Sequence, residues 1–313
     1  SRYGSSFLTR NFISQYRLLS TAQQASRGNR EFMSKPRLSI AIPASVISDT
    51  PHLREKTAKI GSIARSAAIF RVNEIIVYPD NAKVDQRRDL NFIALMLNYI
   101  ETPQYLRKTL FKIDPDLQYA GILPPLRTPH HPDSGKSKHL KVGEYREGIV
   151  VSERKDGLTV DIGVQQPALL RQKQYRVGER LTLQVIKAAD QIEVQPVNRE
   201  DVPQYWGYTV RVEKRPFGQI MQSNEFDLKV STARVGESFL DVAGRIGERW
   251  AISGSVLLAF GAPARGLHEI AWDEHLKVEK ISDFVVNTIP YQGTATVRAE
   301  EAVMATLAIF NVN

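Results

Sequence analysis

The sequence contains no cysteine, which excludes disulfides, thiolate metal sites and a cysteine nucleophile. It also lacks any apolar run near the roughly 18 residues that cross a bilayer as a helix. The longest runs, residues 255–260 and 302–310, read as a buried strand and a core helix. Acidic side chains are missing from the first thirty positions, which carry five arginines: Arg2, Arg10, Arg17, Arg27 and Arg30. That composition suits an extended basic tail lying against RNA, and a mitochondrial presequence shares it. Ser1 reads as an end left by removal of an initiator Met, with Met33 as another candidate start. The expectation is a cytoplasmic, ribosome-associated protein with no membrane partner and no metal.

What is present bounds the rest. The 313 residues are 42% hydrophobic, enough for a substantial core and comfortable for two domains. A net charge of +8 favours a polyanionic partner, because each phosphate contact releases a counterion. Residues 38–43 (LSIAIP) form an apolar β-run ended by Pro. Residues 51–70 follow with helical spacing, placing Leu53, Ile60, Ile63, Ala64, Ala67 and Ala68 on one face. A second buried strand, 74–78 (EIIVY), precedes a helical pattern over 89–99. Strand–helix–strand–helix order predicts parallel strands.

Pro124, Pro125, Pro129 and Pro132 break the pattern. Five short β-runs then fill 145–152, 158–162, 168–170, 180–187 and 191–194, spaced as in a small five-stranded barrel of OB type. Alternation returns after Tyr205, with strands over 208–212, 228–232, 256–260 and 284–288 and helices over 237–250 and 296–310. An α/β domain, 37–122 and 205–313, is therefore interrupted by a β-barrel insert, 123–204, and preceded by a basic tail, 1–36.

Three segments of the C-terminal third each place Gly, Pro or small polar residues just past a strand: 260–267 (FGAPARGL), 286–290 (VNTIP) and 292–302 (QGTATVRAEEA). Ligands of open α/β sheets bind at such strand ends. Together with 102–108 (TPQYLRK), 121–126 (GILPPL), 128–132 (TPHHP) and 205–208 (YWGY), they resemble the SPOUT RNA methyltransferases, in the branch with an OB-like insert and closest to archaeal members. The resemblance implies a trefoil-knotted α/β domain, usually homodimeric, that binds bent S-adenosylmethionine. Its cofactor residues here would be Phe260, Gly261, Pro263, Gly266, Leu267, Asn287, Thr288, Ile289, Pro290, Gln292, Thr296 and Val297.

The stretch 61–70 (GSIARSAAIF) is similar to the first motif of ribose-methylating members, where an Arg matching Arg65 helps activate a 2′-hydroxyl. The Asn that usually precedes that glycine is absent; Lys59 and Ile60 stand nearby. Tyr291 occupies a position commonly Gly, so its ring would either fill the cofactor slot or point outward and stack on a base. Ala262 likewise replaces a common Gly.

Other signals carry less. Gly135-Lys136-Ser137 lacks the earlier glycine of a P-loop. His130 and His131, between prolines, suit a loop better than a metal site. Glu300 and Glu301 fit the first turn of the last helix, where negative charge complements the helix dipole, and one of them could anchor Arg298 or the dimer contact. RNA contacts are expected from Arg10 and Arg17, from Tyr105, Arg107 and Lys108, from Lys136 and Lys138, and from Arg171 and Lys173 in the insert. Two readings follow. One is an S-adenosylmethionine-dependent methyltransferase acting on ribosomal RNA. The other is a non-catalytic RNA-binding constituent or assembly factor of the large ribosomal subunit, favoured by Tyr291 and the tail. The sequence leaves the target nucleotide, and ribose against base, open.

Overall fold

The computed structural model describes residues 35–132, 135 and 139–312. Arg10, Arg17, Lys136 and Lys138 lie outside the described residues. The chain divides into two units, Ser1–Pro36 and Arg37–Asn313.

The apolar runs become strands β1 (Arg37–Pro43), β2 (Glu74–Tyr78), β8 (Thr209–Val212), β9 (Leu228–Ser238), β10 (Ser255–Ala259) and β11 (Phe284–Asn287). They form a parallel sheet in the order β11-β9-β10-β1-β2-β8. Strands buried on both faces read as near-continuous apolar sequence, and alternate residues here go to opposite cores. Ile40, Ile42, Ile75, Val77 and Leu258 pack on one side. There they meet α1 (Leu53–Ile69), α2 (Arg87–Glu101), α5 (Phe239–Ile252) and α8 (Ala299–Phe310). Ala41, Ile76, Leu257 and Ala259 face α4 (Phe217–Gln222), α6 (Leu267–Asp273) and α7 (Val278–Ile281) on the other. In α1 the side chains of Ile60, Ile63, Ala64 and Ala67 are wholly buried. That i, i+3, i+4, i+7 stripe docks the helix, each larger apolar side chain contributing about 1.5–3 kcal/mol.

The insert closes into a barrel, β3-β4-β5-β7-β6, from β3 (Tyr145–Arg154), β4 (Gly157–Asp161), β5 (Ala168–Leu170), β6 (Arg180–Ala188) and β7 (Ile192–Pro196). Val150, Val160, Leu170, Leu183, Val185 and Val194 fill its interior.

A buried polar cluster joins barrel to sheet. Glu101, the last residue of α2, accepts from Arg180 Nη1 at 2.9 Å and from Arg199 Nη2 at 2.7 Å. Glu147 of β3 accepts from Arg180 at 2.5 Å, Thr182 at 2.7 Å and Trp206 Nε1 at 2.6 Å. Burial alone would raise the Glu101 carboxyl, but Arg180, His130 and Arg199 overcome it and hold the group well below the usual carboxylate range.

Two expected RNA contacts belong to this joint instead. Tyr105, in α3 (Gln104–Leu110), donates its hydroxyl to Glu147 O at 2.7 Å. Burial pushes its phenol up. Arg107 donates to Thr102 O and Ile100 O at 2.9 and 3.1 Å and lies 4.8 Å from the Tyr99 ring centre. Both side chains are committed to the protein, so stacking and phosphate contact there are corrected to structural roles. Arg171 is held by Glu193 at 3.0 and 2.9 Å, whereas Lys108 and Lys173 are exposed.

The two histidines serve the same joint. His130 Nε2 and His131 Nε2 lie 2.9 and 2.7 Å from Glu101 O. Burial, with His130 beside it, pushes the His131 ring from 6.5 down to about 4. Its native pKa is depressed, so between those values the unfolded chain binds more protons. The stabilising contribution is thus complete above the unfolded value and lost as pH falls from 6.5 toward 4. Thermal unfolding of wild type should weaken across that window by up to about 3 kcal/mol, and His131→Gln should flatten the slope. Equal slopes in both proteins would refute the assignment.

Candidate functional site

The carboxyl ends of three adjacent strands, β11, β9 and β10, meet in one cleft of ≈ 400 Å³. Its first wall is the turn after β10. Phe260 N donates to Ala41 O at 2.9 Å, Phe260 O accepts from buried Tyr78 at 2.8 Å, and Ala262 N closes the turn on Arg265 O at 2.9 Å. The second wall follows β11. Asn287 Nδ2 donates to Arg234 O at 2.8 Å while its Oδ1 accepts from Ile289 N at 2.9 Å. Thr288 and buried Thr306 of α8 share a 2.9 Å hydroxyl contact. In the third wall, Gln292 Nε2 donates to Thr294 O at 2.9 Å and Arg234 Nη1 to Ala295 O at 3.2 Å.

A fourth wall has no counterpart in the expectations. Val285 pairs with Ser231, yet the next residue, Val286, pairs with Glu237. Residues 232–236 therefore bow out of the β9–β11 pairing, and Thr232, Ala233, Arg234 and Val235 line the cleft. Gly236 closes the bow, since a Cβ there would stand 2.8 Å from Val285 O. A glycine inside a β-run signals such a bulge or close backbone approach. That was the available clue. It also corrects the helix expected from 237: Glu237 and Ser238 end β9, and α5 starts at Phe239.

Most of the lining is apolar side chain, hydroxyl and backbone. Of its polar side chains, Arg234 is held by Ala295 O and His268 Nε2 lies 2.7 Å from Glu279 Oε1, while Glu269 also belongs to the lining. Such a cleft suits a small neutral or zwitterionic ligand held by backbone groups.

A family described as "putative RNA methyltransferase" matches residues 37–310. The chain belongs to this family of SPOUT-type RNA methyltransferases. It is 34% identical over 287 residues to an uncharacterised protein of Halobacterium salinarum, covering 86% of this chain and 96% of that one. It is 31% identical over 316 residues to the 28S rRNA (uridine-N(3))-methyltransferase of Homo sapiens, covering 91% and 81%. The Mus musculus protein of the same name is 32% identical over 300 residues, covering 87% and 75%.

In this RNA methyltransferase the expected positions separate cleanly. Phe260, Gly261, Pro263, Gly266, Asn287, Thr288, Ile289, Gln292, Thr296 and Val297 line the cleft. Leu267 is wholly buried beneath it and Pro290 lies outside the lining. The Tyr291 ring is 90% exposed and outside the lining, so it does not fill the slot. Arg65 does not line the cleft either. Its Nη1 donates to Pro125 O at 3.0 Å and Leu126 O at 2.5 Å, while a Cβ at Gly61 would meet Leu123 at 2.9 Å. Residues 61–65 thus seat the proline-rich segment. Glu301 accepts from Arg298 N at 2.9 Å, as the first-turn reading required.

Proposed function

We propose that this RNA methyltransferase moves a methyl group from S-adenosylmethionine to N3 of a uridine in large-subunit ribosomal RNA. One observation supports the cofactor most. The turn 260–267, the loops 287–297 and the bow 232–236 wall a single cleft of a size ordinary for small-ligand sites, roughly 300–1,000 Å³. Gly266 shows how the residues fit a ligand: it lines the cleft, and a Cβ there would meet nothing within 4 Å. Bound there, S-adenosylmethionine would supply an electrophilic methyl on sulfur.

The chain's own residues would do the rest. Asn287 holds the second loop against the bow, and Thr288 with Thr306 fixes that loop to α8. Phe260 and Val297 would cover the adenine and exclude water. Alignment of donor and acceptor is the main source of rate. Uridine N3 as the acceptor follows the names of the mammalian relatives. It also fits an Arg65 occupied elsewhere.

The trefoil knot belongs to this reading, as do the boundaries 37–122 with 205–313 and 123–204. So does a homodimer, supported by the exposed apolar Val235, Leu240 and Ile252. RNA would lie along the barrel, with Lys173 and Lys108 toward its phosphates, and Tyr291 would stack on a base. Action in the cytoplasm on the ribosome rests on the basic tail, within residues outside the described structure.

Incubation with methyl-labelled S-adenosylmethionine and a large-subunit rRNA transcript, followed by nucleoside mass spectrometry, tests the reading. Label in 3-methyluridine is the expected result. Label only in a 2′-O-methyl nucleoside, or none, would overturn it.

A further inference from the structure

The turn that makes the first wall of the cleft, residues 260–267, has few side chains with which to keep its shape. Gly261, Ala262, Pro263, Ala264 and Gly266 carry none that can donate or accept a hydrogen bond. Its start is secured through the backbone of Phe260, whose N donates to Ala41 O and whose O accepts from the wholly buried Tyr78. Its far side depends on one residue. Ala264 and Gly266 line the cleft, but Arg265 between them does not.

The Arg265 guanidinium turns away from the cleft and binds two separate elements. Its Nη1 donates to Asp80 O, just beyond β2, at 3.0 Å, and its Nη2 donates to the carboxylate of Asp273, the last residue of α6. Its own carbonyl oxygen accepts the bond from Ala262 N that closes the turn. One residue therefore ties the turn to the sheet, to the helix that follows, and to itself. A planar guanidinium can serve two acceptors at once, which a lysine ammonium on a flexible stem does less well.

The acceptor on the sheet side is itself fixed. Asp80 O belongs to the peptide whose N–H, that of Asn81, donates to Gln86 Oε1 at 3.0 Å. The Asp80 side chain is buried and accepts from Ser45 N at 3.0 Å and Gln86 Nε2 at 2.9 Å, with Arg265 Nη1 3.8 Å from its Oδ2. Arg265 thus docks on a rigid post. With only 24% of its side chain exposed and a carboxylate already beside it, it is poorly placed to serve a phosphate.

We propose that Arg265 is a positioning residue for the cofactor: without touching it, Arg265 keeps the turn 260–267 in the shape that receives S-adenosylmethionine. The proposal rests on the cofactor reading given above and deepens it. A loop already ordered in its bound conformation does not spend binding energy on being ordered, so affinity rises without any added contact. Removing the Arg265 side chain leaves every lining residue in place but returns that ordering cost to the binding step.

Arg265→Ala, Asp273→Ala and the double variant, each in the full chain, test this. Without ligand, amide exchange over 260–267 should quicken in Arg265→Ala while β10 keeps its wild-type rates. Calorimetry should show affinity for S-adenosylmethionine lowered about tenfold, in line with the loss of a hydrogen bond to a charged group. In assays with a large-subunit rRNA transcript, the rise in KM should be confined to S-adenosylmethionine. The KM for RNA and kcat at saturating cofactor should stay within about twofold. Because Asp273 acts through Arg265, the double variant should bind the cofactor no more weakly than Arg265→Ala alone. Wild-type exchange and affinity in Arg265→Ala would overturn the proposal. So would a raised KM for RNA with cofactor affinity intact, which would assign Arg265 to the nucleic acid, or additive losses in the double variant. A wild type that binds no S-adenosylmethionine would instead overturn the underlying function, and the exchange comparison would still decide whether Arg265 orders the turn. If Arg265→Ala does not fold, Arg265→Lys keeps the charge and reaches one acceptor only; wild-type exchange and affinity in that variant would count equally against the proposal.

Discussion

Glu101→Ala should cost about 3–5 kcal/mol of stability, the usual loss when one partner of a buried ion pair is removed. Arg180 and Arg199 both direct guanidinium nitrogens at this carboxylate, at 2.9 and 2.7 Å. His130 Nε2 stands 3.2 Å away. Removing the anion strands these donors in a site where Glu101 itself is 4% exposed. Arg180 keeps Glu147, so the lower half of that range is the closer expectation. Arg171→Ala is the internal comparison. It removes a bidentate pair whose arginine is 62% exposed, and such surface pairs contribute about 0–1 kcal/mol. Chemical denaturation of the two variants should separate them by at least 2 kcal/mol. Equal midpoints would mean that the joint between sheet and barrel is not held by this cluster.

Gly266→Leu should abolish binding of S-adenosylmethionine while leaving the melting temperature almost unchanged. Gly266 has φ −70° and ψ 168°, extended backbone that any residue adopts. The position lines the cleft with open space around its Cβ. A leucine side chain would therefore enter the space intended for the ligand without straining the turn. Calorimetry should show affinity lost by 100-fold or more, that is about 3 kcal/mol. Retained affinity would place the ligand elsewhere, and a large drop in melting temperature would make the test one of folding rather than of binding.

The apolar runs made the sheet legible. Strand 74–78 coincides with the observed element and the other sheet strands agree within a residue or so, except β9, which was expected over 228–232 and runs on to Ser238; strands buried on both faces leave a continuous hydrophobic trace. Helices α1 and α2 were visible for the related reason that one face of each is buried. The short helices α3, α4, α6 and α7 were missed, having four to seven residues, too few for a period to show.

For the site, the turns at 260–267 and 287–297 were read from Gly, Pro and Asn beyond strands. The 232–236 bow was not, because its effect arises from pairing between strands fifty residues apart. Tyr105 and Arg107 failed for a similar reason. Composition registers an aromatic beside a cation, but only the fold shows that Glu147 and the end of α2 already occupy them.

Hydrogen–deuterium exchange with and without S-adenosylmethionine bears most directly on the convergence of these loops. Peptides covering 232–236, 260–267 and 287–297 should gain protection together and saturate at one ligand per chain. Protection of one of them alone, or of a surface remote from all three, would contradict a single shared cofactor cleft.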